Sequence, residues 1–207
     1  MKWTLPALGL AALTASAMLA GAALVQDEDQ PPRSAAEVQR LMLEAAQPGA
    51  EHELIARYCG DFDEEITFWM QPGAQPLKLK GSSEHEMVLG GRFRLSRAAS
   101  EFMGSRTESM SMLGFDRRHE EFTLVSFDTA GTYWVSAQGP YDAETRTARM
   151  HGTDDDPIGG VVQDYDFVMT LVDDDTLRFE IWFNDEAHAK DGKPFKMVEV
   201  TSRRKKQ

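Results

Sequence analysis

With 207 residues, one cysteine and a formal net charge of −12, the chain excludes three things at the outset. It cannot form an intramolecular disulfide, it lacks the basic surplus with which proteins neutralise nucleic-acid phosphates, and it is long enough for one hydrophobic core but too short for two. Ordinary packing has to supply the stability.

The first segment reads as an export signal. Lys2 is the only charge before Asp27, residues 5–19 are apolar and alanine-rich, and Ala20-Gly21-Ala22 has the small-x-small pattern of a cleavage site. Cleavage is expected after Ala22, with Ala15-Ser16-Ala17 as the alternative, making 1–22 a signal peptide and the mature protein secreted or periplasmic in a bacterium. Only Lys2 leaves with it, so the charge moves from −12 to −13. The competing reading is an uncleaved anchor, since Trp3 to Val25 just suffices for ~30 Å of hydrocarbon. No later apolar run is that long, so no stable membrane insertion is expected after cleavage. Arg203-Arg204-Lys205-Lys206 reads as the solvated end of a last strand.

Residues 23–47 follow as a spacer and a short helix. Residues 26–33 are acidic and proline-containing, and Ser34-Ala35-Ala36-Glu37 then has capping-box spacing. Val38, Leu41, Met42 and Ala45 recur at helical intervals until Pro48-Gly49 stops the element. A second short helix is predicted from Ala50 to Tyr58, with Leu54, Ile55 and Tyr58 on one side, packed on the domain or plugging one end of it.

After Gly60 the period falls to two. Ile66, Phe68 and Met70 alternate with Thr67 and Trp69 before Pro72-Gly73 turns the chain. Strands are then predicted over 77–89, 92–103, 107–115, 121–128, 132–141, 145–152, 161–172, 176–184 and 194–203. The separators carry turn chemistry: Leu89-Gly90-Gly91, Gly104-Ser105, Asp116-Arg117-Arg118, Ala130-Gly131, Asp142-Ala143-Glu144, Asp173-Asp174-Asp175 and Asp191-Gly192-Lys193. No helical stretch interrupts them, which argues against a parallel sheet. The expected fold is therefore all-β, an antiparallel up-and-down barrel of about ten strands over 48–207, because closure removes the sheet edges. Three rows are expected to face inward: Leu177, Phe179, Ile181 and Phe183; Tyr165, Phe167, Met169 and Leu171; and Tyr133, Val135 and Ala137.

The stretch from Pro48 to Arg204 resembles a bacterial family known as the domain of unknown function 1579, thought to be lipocalin-like barrels. Pro48-Gly49-Ala50-Glu51-His52 leading to Gly60-Asp61-Phe62 carries the resemblance, with Leu89-Gly90-Gly91-Arg92-Phe93, Gly114-Phe115-Asp116, Gly139-Pro140-Tyr141-Asp142 and the closing Val198-Glu199-Val200-Thr201-Ser202-Arg203. The resemblance implies a barrel and carries no catalytic residue with it. Phe62 stands where Trp is expected and Phe115 where Tyr is expected, and both changes keep the aromatic body, which suits packing positions.

No nucleophile elbow, phosphate loop or metal-ligand spacing stands out, so candidate residues come from barrel geometry. Arg92, directly after the Gly-Gly turn, is expected either to hold an anionic ligand group or to clasp the barrel end through Glu84 or Glu86. His85 and His52 are candidates for polar groups in or at the mouth of a cavity; His119 and His188 read as loop residues. Met110 and Met112, in a set with Met103 and Met150, suit either a pliable pocket lining or core. Tyr165 and Phe179 complete the candidate ligand-binding set. Asp154-Asp155-Asp156, followed by Pro157, reads as an acidic turn. No cofactor or metal is implied. The expected function is binding of a small hydrophobic or amphipathic molecule by a monomer; the alternatives are an enzyme using Arg92, His85 and Glu84 or Glu86, and a filled structural domain of the cell envelope.

Overall fold

The computed structural model describes residues 33–189 and 192–206. The predicted signal segment lies outside them. The chain divides into two units between Leu43 and Glu44. Most of helix α1 (Ala35–Ala45) belongs to the first, and none of its side chains is buried. Ser34 caps it, its Oγ accepting the Glu37 N–H at 3.2 Å as the capping-box spacing anticipates.

The second unit opens with helix α2 (Ala50–Ala56), two residues shorter at its end than predicted. His52 Nδ1 accepts the Gly49 N–H at 3.0 Å and so closes the first turn from inside. Eleven strand segments follow: β1 (Gly60–Phe68), β2 (Leu77–Val88), β3 (Phe93–Phe102), β4 (Ser105–Asp116), β5 (Glu121–Asp128), β6 (Trp134–Gly139), β7 (Tyr141–Asp142), β8 (Thr147–Asp156), β9 (Val161–Leu171), β10 (Thr176–Phe183) and β11 (Phe195–Arg204). Pro140 supplies no N–H and interrupts what is otherwise a single stave, β6 with β7, so eleven segments make a ten-stave barrel. Each stave pairs antiparallel with the next in sequence, β6 and β7 both with β8, and β11 pairs back onto β1, which closes the up-and-down ring.

Several boundaries differ from the sequence expectation. β1 begins at Gly60, six residues before the clear alternation, because Phe62 and Glu64 already face the interior opposite Ser83 and Gly81. Asp154, Asp155 and Asp156 are the last residues of β8, paired with β9, and the turn proper is 157–160. Tyr133 lies before β6 and is exposed, so the third expected inward row reduces to Val135 and Ala137.

The seam between β6 and β8 is tight. Gln138 pairs with His151, and a Cβ at Gly139 would lie 2.1 Å from the Arg149 carbonyl oxygen, while one at Gly152 would lie 2.3 Å from that of Ser136. Only glycine lets the two backbones approach this closely.

Helix α2 closes one end of the barrel. Ile55 and Tyr58 are fully buried in the same cluster as Phe62, Leu113, Phe122 and Leu171. His52 meets the edge of Phe115, and Tyr58 donates its hydroxyl to the Asp173 carbonyl at 2.8 Å in the β9–β10 turn. At the other end the loops expose apolar side chains: Met70, Met103, Tyr133 and Ile158, the last 98% exposed.

Gly139→Ala is expected to cost about 2–4 kcal/mol in urea-induced unfolding, because the added methyl has to push backbone rather than a movable side chain. A loss below about 0.5 kcal/mol would show that the seam has slack.

Candidate functional site

The closed ladder gives the interior two unlike walls. On β9 and β10, Tyr165, Phe167, Met169 and Leu171 pair across with Phe183, Ile181, Phe179 and Leu177, as the alternation predicts. Their rings pack together, Phe167 lying 5.5 Å from Phe179 and 5.0 Å from Tyr165. The Tyr165 hydroxyl satisfies itself on the Ser136 carbonyl at 3.1 Å.

On the facing wall, β2 to β5, the middle rows are small and hydroxylic, below the Leu113, Phe122 and Leu124 core of the closed end. Ser83, Ala98 and Ser109 share one inward row, and His85, Ser96, Ser111 and Ser126 share the next. Apolar residues of the same strands turn outward: Met110 pairs with Arg97 and Phe127, and Met112 with Leu95 and Val125. Phe93 also faces out, and Gly114 makes room for its ring, since a Cβ there would sit 2.5 Å from Phe93 Cδ1. That fit helps to fix the phase of β3, and with it the inward direction of Arg94.

His85 is held between two of these hydroxyls. Its Nε2 lies 3.0 Å from Ser83 Oγ and its Nδ1 2.6 Å from Ser96 Oγ, with the edge of the imidazole against Phe62. Burial, aided by the positive fields of Arg94 and Arg204, holds its pKa down at about 3, so the ring is neutral and each nitrogen has a hydroxyl partner able to give or take a proton. Glu64, opposite Gly81 on the next row, is pushed the other way by burial, against which the Ser83 and Ser202 hydroxyls act. Gly81 is small where Glu64 needs space, since a Cβ there would approach Glu64 Oε2 to 3.2 Å.

Arg94 is the most unusual member. It pairs across with Met87 and Leu113, faces inward, and is 5% exposed. Neither its Nε nor its Nη1 has a hydrogen-bond acceptor among the described residues. Desolvation brings its pKa down to about 10, and the acidic groups close enough to oppose this are the Cys59 thiol and the Tyr58 hydroxyl, both themselves pushed up by burial and neutral at pH 7.

Arg204, Arg92 and Arg117, also near this end, each have carbonyl acceptors. Arg204 donates to the carbonyls of Cys59 at 2.6 Å and Arg57 at 2.5 Å and to Asp175 Oδ1 at 2.9 Å, while its guanidinium lies 4.9 Å from the Phe62 ring centre. Arg92 points away from the interior. Its Nε donates to the Ala46 carbonyl at 3.0 Å and its Nη1 to those of Leu89 and Gly90. Arg117 similarly holds the carbonyls of Glu44 and Gln47.

Of the candidate residues, the structure thus brings His85, Tyr165 and Phe179 onto the interior surface. It leaves Met110 and Met112 on the outer face, Met110 43% exposed. Arg92 is paired with neither Glu84 nor Glu86; Glu86 instead bonds Arg97 at 2.7 Å outside the barrel. The constellation of Arg92, His85 and Glu84 or Glu86 is therefore not assembled, and no group of three His, Cys, Asp or Glu among the described residues is placed to hold a metal. Arg94, Glu64 and the inward serines were missed because Arg94 and Ser96 alternate with Phe93 and Leu95, and such a pattern taken alone points the apolar side inward. The available signal was the glycine at 114, opposite a phenylalanine.

These features define an up-and-down barrel closed at one end by a short helix, with a polar wall facing an aromatic one. The chain belongs to the family described as Protein of unknown function (DUF1579), which it matches over residues 47–204. Among solved structures it is similar to "Crystal Structure of Rv2717c from M. tuberculosis", with a TM-score of 0.55 and 12% identity over 77% of this chain and 100% of that one. That likeness is one of fold. No curated protein matches.

Two buried groups, His85 and Glu64, give opposed pH dependences. His85 is harder to protonate folded than unfolded, so its contribution is intact above its ordinary value of 6.5 and is lost as pH falls from there toward about 3. Glu64 is harder to ionise folded, so its contribution is intact below 4.5 and is lost as pH rises through its elevated value. Urea unfolding at pH 7 and pH 4 is expected to show His85→Gln losing less stability on acidification than the wild type, by at most about 1.4 kcal/mol per pH unit. Glu64→Gln is expected to gain on the wild type at pH 8 relative to pH 4. Parallel curves for all three proteins would contradict the assignment.

Proposed function

We propose that this protein is an exported carrier that binds a small, largely apolar molecule inside its barrel. The observation carrying this reading is the partial exposure of inward-facing, mid-strand residues: Ile66 on β1, Ala98 on β3, Ser111 on β4, Phe179 on β10 and Val200 on β11. In a closed ring such a side chain meets solvent chiefly from the lumen. Small side chains on β2 to β5 leave space opposite aromatic ones, which supports an apolar guest with polar groups to orient it. Export rests on the Ala20-Gly21-Ala22 pattern after an apolar run.

The test is uptake of the neutral fluorophore Nile red. Wild-type protein is expected to bind it with enhanced emission, and Ala98→Trp and Ser111→Trp, which fill the lumen, are expected to weaken uptake at least about tenfold with melting temperatures within about 5 °C of wild type. Equal uptake by all three would move the binding site to the outer surface. Sequencing of exported material is expected to begin at Ala23; an intact Met1 chain in the membrane fraction would replace secretion by anchoring.

A further inference from the structure

We infer that Arg94 is the receptor for a single anionic head group, so that the occupant of the lumen is an amphiphile carrying one negative charge, of the kind presented by a long-chain carboxylate. This rests on the lumen reading above and specifies which end of the guest goes where.

Four observations carry it. A guanidinium is among the most costly groups to bury, and buried ones are held by carboxylates or by a full set of acceptors. Arg204, a short distance away, shows what such a set looks like: two carbonyls and a carboxylate within 3 Å. Arg94 has neither for Nε and Nη1, although it is buried at the helix-closed end. Nε shares its two-point edge with Nη2, the edge that Arg118 presents to the Asp116 carboxylate at 2.9 and 2.6 Å, so a carboxylate on the unpartnered Nε of Arg94 engages that same edge.

Small residues continue the inward face of β3 beyond Arg94. Ser96, Ala98 and Ser100 stand on the same inward face of β3 as Arg94, each with a short side chain, and lead toward the opposite end of the barrel. Six residues of strand separate Ser100 from Arg94, on the order of 20 Å. A chain lying along this track faces Phe179 and Ile181 on the far wall, so an apolar tail and an anionic head are both provided for.

The charge count selects the head group. Arg94 supplies one positive charge, on which the Cys59 thiol and the Tyr58 hydroxyl act but not Glu64; His85 is neutral, Tyr58 and Cys59 are neutral at pH 7, Arg204 is paired with Asp175, and Arg146, bonded to the Tyr58 hydroxyl, has Asp173 beside it. A monoanion balances the site; a phosphomonoester dianion leaves a second buried charge uncompensated.

Displacement of Nile red by dodecanoate and by dodecan-1-ol, which share a twelve-carbon chain and differ in charge, tests this at pH 7.5 on wild type, Arg94→Met and Arg94→Lys. Wild type is expected to prefer the acid to the alcohol. Arg94→Met is expected to weaken dodecanoate about tenfold or more, to leave dodecanol within about twofold, and to melt no lower than wild type without ligand, since it removes an unpartnered buried charge. Arg94→Lys keeps the charge and is expected to recover part of the acid preference.

Equal displacement by acid and alcohol in the wild type overturns the inference without recourse to any variant, as does an acid preference that survives in Arg94→Met. A fall in the ligand-free melting temperature of Arg94→Met, with dodecanoate and dodecanol weakened alike, assigns Arg94 to structure and also overturns it. If wild type takes up no Nile red, or takes it up equally when Ala98→Trp fills the lumen, the lumen reading falls and this inference with it.

Discussion

Closure of the ladder is the constraint on which the rest depends. In an open sheet, a strand whose polar residues point at the core can slip by one position and recover the apolar face. In this ring each stave is held by a neighbour on either side, and β11 on β1 leaves no free edge from which a slip might start. The inward direction set by Phe62, Leu113, Phe122 and Phe167 is thereby imposed on every strand between them. Ser83, His85, Arg94 and Ser96 are kept inside by their partners rather than by their own preference for burial.

That imposition has a cost, and the structure shows how it is offset. The aromatic wall of β9 and β10 buries large side chains in mutual contact, which supplies the hydrophobic gain. On the other wall the polar groups answer one another. His85 lies between two serine hydroxyls, and Ser202 donates to Glu64 at 3.4 Å. Arg94 is the exception, a charge placed where burial penalises it and no partner repays it. Deviations of this sort from complete polar satisfaction concentrate where proteins meet ligands.

The closed end gathers a second kind of interaction. Arginines from three parts of the chain hold backbone carbonyls around α2: Arg92 takes Ala46, Arg117 takes Glu44 and Gln47, and Arg204 takes Arg57 and Cys59. A seven-residue helix is marginal by itself. Here its flanking carbonyls are satisfied by side chains rooted in the barrel, and Ile55 and Tyr58 anchor it in the core. The clasping chemistry foreseen for Arg92 is thus present in kind, directed at backbone oxygens rather than at Glu84 or Glu86.

The sequence by itself determined the class of fold, the order of the strands and the aromatic wall, because period-two alternation and turn residues are local properties, and Tyr165 to Leu171 and Leu177 to Phe183 obey them without conflict. It also marked α2, whose limits follow from Pro48-Gly49 and from the change of period at Gly60. The polar wall was decided only by tertiary structure. Nothing within Phe93-Arg94-Leu95-Ser96 says which side faces in. The answer lies in the pairing of Arg94 with Met87 and Leu113, and in Gly114 yielding space to Phe93 on the outside, contacts between residues distant enough along the chain that only the closed ring brings them together.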